Sequence, residues 1–348
     1  MNQVTFSTCV VIVTYGSRLR FLARVIEAAL AEDAAMVLVV DNGTDEDCRA
    51  GLARLQQQYG ARLEVLTLPE NTGSAGGFKA GLAHVLAQQR CEYVWLLDDD
   101  NVPRKGALAA LHAHCAALTP AHPRDGLMLL SLRDRNKMQR LAAGLPVRRV
   151  LPRRSGFQGL HLPGLLEKLF YRLPGLRRKA AAGVRERVVL PYASYGGLFF
   201  HRDVLGRIGL PDERFFLYVD DREFTYRLTR QGGSIFLVPA SRLEDIDRSW
   251  GKAAAKPKEL MSDSDFRVYY SIRNNAYFNK RYWTDSRLMY ALNMAVYCAL
   301  MAAYALLRGR WARWRLIRRA IADGHAGRLG RQEGVGSGLA ALNRPTIG

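Results

Sequence analysis

The sequence predicts an α/β fold in which a mostly parallel sheet is covered by helices on both faces. Strand-like and helix-like segments alternate through the first hundred residues. The strands are continuous apolar runs, as expected for strands buried on both faces. Polar residues follow these runs, and ligands of such folds bind at the carboxyl ends of the strands.

Four predicted strands alternate with three predicted helices in this part of the chain. The strands cover residues 10–13, 36–40, 63–68 and 93–97, and the helices cover residues 21–31, 52–59 and 78–88. Parallel strands end at one edge of their sheet, so we expect Asp41, Asn71 and Asp98 to lie at the same edge.

Two acidic clusters mark candidate sites. Asp98, Asp99 and Asp100 close the fourth strand, and Asp220 and Asp221 follow much later in the chain. Adjacent carboxylates repel one another unless a cation or a proton lies between them. The first cluster therefore indicates a divalent-metal site and the second a candidate base, a combination typical of transfer chemistry on a phosphorylated donor.

Composition limits the classes of partner. The chain has 348 residues, 49% of them apolar and 24% charged, so a sizeable core is expected in one large domain or two smaller ones. The net charge of +19 favours an anionic partner such as a membrane surface, a nucleic acid or a phosphate-bearing substrate.

The five cysteines indicate a reduced compartment. They are scattered without C-x-x-C spacing, which argues against a zinc module or a disulfide framework. The early apolar run lacks the basic leader of a secretory signal. We therefore expect a protein that stays in the cytoplasm.

Two segments carry basic and apolar residues together. An insertion at about residues 133–190 contains arginine clusters, prolines and a predicted amphipathic helix near residues 165–173. That helix would face lipid headgroups or an anionic acceptor, and a solvated basic loop is the equally weighted alternative.

The C-terminal region, residues 251–348, is predicted to be helical and to end in a loose tail. Residues 288–307 carry no charge and are followed at once by an arginine- and tryptophan-rich run, so residues 288–318 form a candidate membrane-associating segment. Peripheral or re-entrant attachment is the preferred interpretation, ahead of a true span or a buried helix.

Seven motifs occur in the order found in inverting GT-A glycosyltransferases. They are Thr14-Tyr15-Gly16, Asp41-Asn42-Gly43, Asn71 to Phe78, Asp98-Asp99-Asp100, Gly196-Gly197-Leu198-Phe199-Phe200, Asp220-Asp221-Arg222-Glu223 with Arg227, and Tyr269 to Asn275. The chain resembles the bacterial branch that includes galactofuranosyl- and rhamnosyltransferases, and its Gly-Ser-Ala-Gly-Gly-Phe loop is closest to the galactofuranosyltransferases. The resemblance covers residues 10–275 and implies a GT-A domain at residues 1–250.

The resemblance implies a set of donor-binding residues. Thr14, Tyr15 and Asp41 would line the nucleotide base, although the same residues also suit a strand-end turn and a helix cap. The loop that opens a helix after Asn71 would approach the diphosphate through free N–H groups and glycines. The remaining implied contacts are Gly76, Gly77, Lys79, Asp98, Asp99, Gly196, Gly197 and Arg273.

A divalent metal, Mn²⁺ or Mg²⁺, is the implied cofactor. Side-chain alternation predicts that Asp98 and Asp100 share one face of the strand and bind the cation together. Relatives often add a histidine shortly before a tryptophan, but residues 243–250 contain none. Asp247, three residues before Trp250, is the expected substitute. Trp250 itself suits either stacking on an acceptor sugar or a place in the core.

The resemblance implies that Asp221 is the catalytic base and Asp220 its acidic neighbour. The pair also suits the start of a helix, where the dipole favours acids. The implied enzyme is a metal-dependent inverting glycosyltransferase that moves a sugar, with galactofuranose expected, from a nucleotide-diphosphate donor to a lipid-linked glycan. We expect it at the cytoplasmic face of a bacterial inner membrane, bound to anionic lipid, in the synthesis of a surface polysaccharide such as an O-antigen.

Three other classes were weighed. A nucleic-acid-binding protein would explain the charge, but no recognised nucleic-acid motif is present, so none is expected as a partner. A nicotinamide-dependent oxidoreductase would need a G-x-G-x-x-G turn after the first strand, where Thr14-Tyr15-Gly16-Ser17 stands. A sugar-binding scaffold without catalysis would have little use for five aspartates at two strand ends.

Overall fold

A computed structural model describes residues 6–170, 183–247 and 264–332. Within these residues a sheet of nine strands forms the centre of the fold. The strands are β1 (Thr8–Gly16), β2 (Met36–Thr44), β3 (Leu63–Thr67), β4 (Tyr93–Asp98), β5 (Asn101–Pro103), β6 (Leu127–Arg133), β7 (Val188–Leu190), β8 (Leu198–His201) and β9 (Ser234–Asp245).

The sheet confirms the predicted mostly parallel core and adds a mixed second half. Its order is β3-β2-β1-β4-β8-β6-β9-β5, and β7 pairs with β9 at an edge. The strands β1 to β4 are parallel, whereas β8 runs antiparallel between β4 and β6. Since β9 is parallel to β6, both end at the same edge as β1 to β4.

Twelve helices are described. They are α1 (Leu19–Ala31), α2 (Glu46–Tyr59), α3 (Gly73–Gln88), α4 (Ala107–Leu118), α5 (Asn136–Ala142), α6 (Val147–Val150), α7 (Leu162–Phe170), α8 (Asp203–Ile208), α9 (Asp220–Arg230), α10 (Asp265–Tyr282), α11 (Arg287–Leu307) and α12 (Trp311–Ala326). Two large apolar clusters cover the two faces of the sheet, so helices protect both faces as expected.

Several elements begin or end beyond their predicted limits. β1 and β2 continue past their apolar runs because polar residues stay in the ladder, with Thr14 opposite Asp41 and Gly16 opposite Thr44. The helix α2 begins earlier than predicted because Asp45 caps it, accepting a hydrogen bond from the N–H of Cys48 at 2.8 Å.

The basic insertion folds partly into α5, α6, α7 and β7. The predicted amphipathic helix is present as α7, which begins three residues earlier than expected. The predicted end of this helix lies outside the described residues.

The C-terminal helices form a third apolar cluster beside the sheet domain. One stripe of α11 is buried, and its amide residue Asn293 donates to the carbonyl of Ser155 and accepts from the N–H of Leu162. Among the described residues, α11 alone is long and apolar enough to cross a membrane, and 28% of its most apolar 18-residue stretch is buried. Its exposed face carries large apolar side chains, including Leu288 and Leu306.

Candidate active site

The aspartate triplet does not continue the pleat of β4. The strand ends at Asp98, and Asp99 and Asp100 lie in the turn that follows. Asp98 points toward Arg133, whereas Asp99 points toward Thr14 and Arg18. Strand alternation therefore does not extend to Asp100, because the residues of a turn do not alternate, and joint binding of a cation by Asp98 and Asp100 stays a prediction.

Arg18 lies in the middle of three carboxylates. Its Nε donates to both Oδ atoms of Asp99 at 2.8 and 2.9 Å, and its Nη1 donates to Asp247 at 3.0 Å. Its Nη2 is 3.7 Å from Oδ2 of Asp100. The guanidinium thus joins Asp247 to the triplet, and a role of Asp247 as a metal ligand stays a prediction.

Arg133, at the end of β6, joins the other side of the cluster. Its Nη1 donates to Asp98 at 2.7 Å and its Nη2 to Asp245 at 2.6 Å. The amide of Asn101 links Asp100, at 2.9 Å, to Asp245, at 2.8 Å. The side chain of Arg133 is 4% exposed, so these pairs are shielded from water.

The cluster carries more negative than positive charge. Its five carboxylates, Asp98, Asp99, Asp100, Asp245 and Asp247, are paired with Arg18, Arg133 and the exposed Arg135. Among these eight described side chains, full ionisation would leave two more negative than positive charges. Burial and the charges of Asp98 and Asp99 raise the pKa of Asp100 to about 7, so the cluster resists that full charge.

These carboxylates suit a hard divalent cation in donor type and surplus charge. In the part of the chain that the structure describes, however, no three His, Cys, Asp or Glu side chains are placed to hold one ion together. The predicted set of Asp98, Asp100 and Asp247 is not assembled because Arg133 holds Asp98 and Arg18 holds Asp247.

Asp220 and Asp221 begin α9, at the same end of the sheet. Asp220 is buried, and its Oδ2 accepts a hydrogen bond from the hydroxyl of Ser74 at 2.8 Å. Asp221 is partly exposed, and its Oδ1 accepts from the N–H of Arg222 at 2.8 Å. Both expectations, an acidic pair and the start of a helix, therefore describe the same residues.

The two carboxyl groups have raised pKa values. Burial raises the pKa of Asp220 most, followed by the charge of Asp221, while the bond from Ser74 acts against this shift. Burial also raises the pKa of Asp221, and the charge of Asp98 adds to the increase. The two carboxyl groups are adjacent, so their protons are lost in steps that belong to the pair, and the pKa of Asp220 is raised to about 8.

The segment before this pair has an unusual backbone. Phe216, Tyr218 and Val219 all have positive φ, between 63° and 68°, which is costly for bulky L-residues. The side chain of Asn274 in α10 holds this segment, because its Nδ2 is within 2.8 to 2.9 Å of the carbonyls of Phe215, Leu217 and Tyr218. The helix α10 therefore fixes the backbone conformation of the segment that leads into Asp220.

Arg273, expected at the donor, is fully buried and faces the same segment. Its Nη2 donates to the carbonyl of Phe215 at 3.1 Å, and its Nη1 to that of Gly330 at 2.6 Å. The expectation of a substrate contact is corrected, since its donors serve buried backbone carbonyls.

The glycine-rich loop is packed rather than open. A Cβ on Gly77 would lie 2.6 Å from Val13, and one on Gly73 would lie 2.0 Å from the carbonyl oxygen of Phe216. A Cβ on Gly76 would lie 2.4 Å from Oγ1 of Thr72. These glycines allow α3 to approach the sheet and the segment before Asp220.

The N–H groups at the start of α3 also have internal partners. Those of Thr72, Gly73 and Ala75 donate to Asn42, Asn71 and Phe216. The N–H groups of Thr72, Gly73 and Ala75 are therefore not free for a diphosphate, and contacts at Gly76 and Gly77 stay a prediction.

The remaining predicted donor residues divide into two groups. Thr14 and Gly196 touch the acidic cluster: Thr14 donates to Asp99 at 2.9 Å, and a Cβ on Gly196 would lie 2.6 Å from Oδ2 of Asp98. Tyr15 is half-buried with Arg18 over its ring. Gly197 has a φ of +95° and supports the turn into β8.

Three others serve local structure. Asp41 is buried and accepts from the N–H of Thr44, so it closes a turn at the end of β2. Asn71 accepts from the N–H of Gly73, and Lys79 pairs with Glu213 at 2.8 Å. Trp250 lies outside the described residues.

The side chains that bond to the aspartates of the site were not predicted from the sequence. Arg18, Arg133, Asn101, Asp245 and Ser74 were not assigned to the site, yet each bonds to one of its carboxylates or to a residue that does. The available signal was electrostatic. Five clustered aspartates require counter-charges, and Arg18 follows the turn at the end of β1 by two residues.

Comparison with known proteins agrees with this geometry. The family described as glycosyltransferase like family 2 matches residues 7–261. Galactofuranosyltransferase GlfT1 of Mycolicibacterium smegmatis is 30% identical over 233 residues, which are 64% of this chain and 66% of that protein. GlfT1 of Mycobacterium tuberculosis is 30% identical over 166 residues, and the match covers 45% of its length.

A solved structure shows the same fold. The crystal structure of GalNAc-T7 with UDP, GalNAc and Mn²⁺ matches with a TM-score of 0.51 at 16% identity, over 74% of this chain and 47% of that one. At this identity the likeness concerns the fold alone. Together with the family match, which covers more than half of its residues, it shows that the chain belongs to the glycosyltransferase like family 2 and has the GT-A fold.

Proposed function

We propose that the protein is an inverting galactofuranosyltransferase with Asp221 as its base. The observation that carries the proposal is the position of this residue at the start of α9, where it is partly exposed, while Asp220 is buried and held by Ser74. The donor assignment is supported by the two mycobacterial relatives named as galactofuranosyltransferases. Transfer of rhamnose or another hexose on the same fold is the alternative.

The reaction is a single displacement. An acceptor hydroxyl oxygen forms a bond to the anomeric carbon while the bond from that carbon to the diphosphate oxygen breaks. The hydroxyl proton passes to the carboxylate of Asp221, and the bonding electron pair leaves with the nucleotide diphosphate. Asp220 keeps its proton and holds the start of α9 against α3 through Ser74.

We further propose that a divalent metal, Mn²⁺ or Mg²⁺, takes up the surplus charge of the cluster. The ligands would be Asp98 and Asp100, with Asp247 joining after release from Arg18. When bound, the ion would neutralise charge on the departing diphosphate. The likeness to a glycosyltransferase solved with Mn²⁺ supports this cofactor.

The acceptor proposed is a lipid-linked glycan reached from the cytoplasmic face of a bacterial inner membrane. The exposed apolar face of α11 supports peripheral attachment, because Leu288 is 72% and Leu306 76% exposed. Exposed arginines of α12 such as Arg315 and Arg318 would meet anionic headgroups. The buried pairing of Asn293 explains the amide without placing it in lipid.

The test is nucleotide release from a panel of UDP-galactofuranose, UDP-galactopyranose and dTDP-rhamnose, with and without Mn²⁺. We expect UDP-galactofuranose to be preferred and metal to be required. Exclusive use of dTDP-rhamnose would refute the donor assignment and leave the mechanism standing.

The base is tested by a matched pair of variants. Asp221→Asn should lower turnover about 10²- to 10⁴-fold while donor binding remains nearly intact. Asp220→Asn should retain most activity, because that residue already keeps its proton. Loss of activity in Asp220→Asn alone, with Asp221→Asn active, would exchange the two roles.

A further inference from the structure

A second cavity lies far from the acidic cluster. It has a volume of about 810 Å³ and is bounded by residues 147–154, β7, the second half of α9 and Trp283. Ser234 and Ile235, which line it, begin β9, whereas Asp245 at the other end of this strand belongs to the cluster. At the rise of a strand the two are roughly 30 Å apart.

The charged wall of this cavity is entirely basic. Arg148, Arg153, Arg154 and Arg230 line it, and none of the described residues in its wall is an aspartate or a glutamate. Two of these arginines are held from outside the wall, Arg153 by Glu167 and Arg154 by Asp285 at 2.6 Å. Arg148 and Arg230 are exposed, and the guanidinium of Arg230 lies 5.5 Å from the ring centre of Tyr282, so neither charge is buried away from a ligand.

The rest of the wall is largely apolar. Leu151, Leu190 and Ile235 form one side, and Val189, which is 64% exposed, stands among them. The guanidinium of Arg154 lies 4.7 Å from the ring centre of Trp283, which fixes both planes. An inorganic anion would leave this apolar surface uncovered, and a purely apolar ligand would make no use of the exposed charges of Arg148 and Arg230.

We propose that this cavity binds an anionic amphiphile, namely a phosphate or diphosphate ester of an apolar chain. Its phosphate oxygens would meet the arginines, whose planar guanidinium groups match phosphate in pairs of hydrogen bonds. Its apolar part would lie along the wall near Val189. A bilayer phospholipid and a lipid carrier of the glycan acceptor share this chemistry.

The first experiment measures binding, not turnover, so its outcome does not depend on the proposed transfer reaction. Calorimetry of the whole chain in EDTA compares farnesyl diphosphate with inorganic pyrophosphate and with farnesol. We expect farnesyl diphosphate to bind at least about tenfold more tightly than either, since it alone contacts both parts of the wall. Equally tight binding of pyrophosphate and farnesyl diphosphate would refute the requirement for an apolar chain. Displacement of farnesyl diphosphate by UDP would refute the claim that the cavity is separate from the donor site.

A pair of double variants locates the binding. Arg148→Gln/Arg230→Gln should weaken farnesyl diphosphate by about tenfold or more, whereas Arg24→Gln/Arg54→Gln removes the same charge from exposed positions on α1 and α2 and should change nothing. Equal affinities of the two variants would overturn the assignment.

Vesicles distinguish the two sources. Displacement of farnesyl diphosphate from the wild-type chain by phosphatidylglycerol vesicles supports a bilayer headgroup as the natural occupant. Continued binding in their presence supports a lipid carrier. In both cases Arg148→Gln/Arg230→Gln must bind farnesyl diphosphate more weakly than the wild type.

Discussion

At the carboxyl ends of the parallel strands Arg18 and Arg133 lie among five aspartates, whereas at the opposite end of β9 four arginines line a cavity without a carboxylate. The first two arginines are internal counter-ions with side chains 15% and 4% exposed. The cavity arginines include two that face solvent. The net charge of +19 therefore gives no measure of how much positive charge is available to a partner.

This difference predicts that removing an arginine has opposite consequences at the two ends. At the acidic end it leaves buried carboxylates without compensation, which affects folding. At the cavity, removing an arginine takes away positive charge that would bind a ligand and has little effect on folding.

The largest effect is expected for Arg18→Gln. Breaking these shielded pairs should lower the free energy of unfolding by about 3 to 5 kcal/mol, measured by urea denaturation in EDTA. Mn²⁺ should then raise the melting temperature of this variant more than that of the wild type, because the ion replaces the lost cation. Arg18→Lys is the control that keeps the charge. An equal response of Arg18→Gln and the wild type to Mn²⁺ would remove Arg18 as a competitor of the metal.

A smaller loss is expected for Asn274→Ala. This change leaves three carbonyls of the segment before Asp220 without their donor and should cost about 1 to 3 kcal/mol, with a fall in turnover that exceeds any fall in donor affinity. Gln57→Ala is the control, since it removes an exposed amide side chain from α2. Similar turnover in the two variants would show that the segment holds its shape unaided.

The pH dependence of turnover tests the acidic pair. Because the pKa of Asp221 is raised, its carboxylate forms only above the ordinary aspartate range, and turnover should fall about tenfold per pH unit below that raised pKa. The same shift means that the pair stabilises the fold fully at low pH and loses this contribution as pH rises through the folded pKa. An acid limb at the pKa of a free aspartate would contradict burial of the base in the working enzyme.

A third group of arginines, on α12, tests the membrane proposal. Arg315→Gln should weaken binding to anionic vesicles by about 1 kcal/mol, or roughly fivefold, in a sedimentation assay at moderate ionic strength. Arg54→Gln serves as the control on the sheet domain. If both variants sediment like the wild type, and nucleic acid binds tightly with a steep salt dependence, the charge serves a nucleic acid instead.

The smallest effect is expected at the cavity. Arg148→Gln/Arg230→Gln should change the free energy of unfolding by less than about 0.5 kcal/mol without ligand, because both side chains are exposed. Chemical denaturation beside Arg18→Gln makes the comparison direct. A loss as large as that of Arg18→Gln would show that these arginines are structural as well.

The order of elements could be predicted from the sequence because it depends on local patterns. Buried parallel strands appear as continuous apolar runs, so β1 to β4 and the edge that carries Asp98 were predictable. Boundaries were less so, since Thr14 and Asp41 stay in the ladder although they are polar. Short strands such as β5 and β7 have no distinctive pattern.

Much of the site depends on contacts between distant parts of the chain. Arg18 meets Asp247 across 229 positions, and Asn274 meets the carbonyl of Phe215 across 59. No spacing rule encodes such pairs. The glycines after Asn71 show a related limit, because a glycine that admits a ligand and one that admits a helix have the same sequence signature.

The link from Asn274 to the backbone before Asp220 has a consequence for the order in which the protein becomes competent. During synthesis the sheet and both acidic clusters emerge before α10 exists, so a chain interrupted between β9 and α10 can carry every proposed catalytic carboxylate and still lack the support for the backbone before Asp220. Enzymatic activity is therefore expected only after α10 has been synthesised. By the same reasoning, after cleavage of the chain between residues 247 and 264, activity would last only while α10 remains docked on the sheet domain.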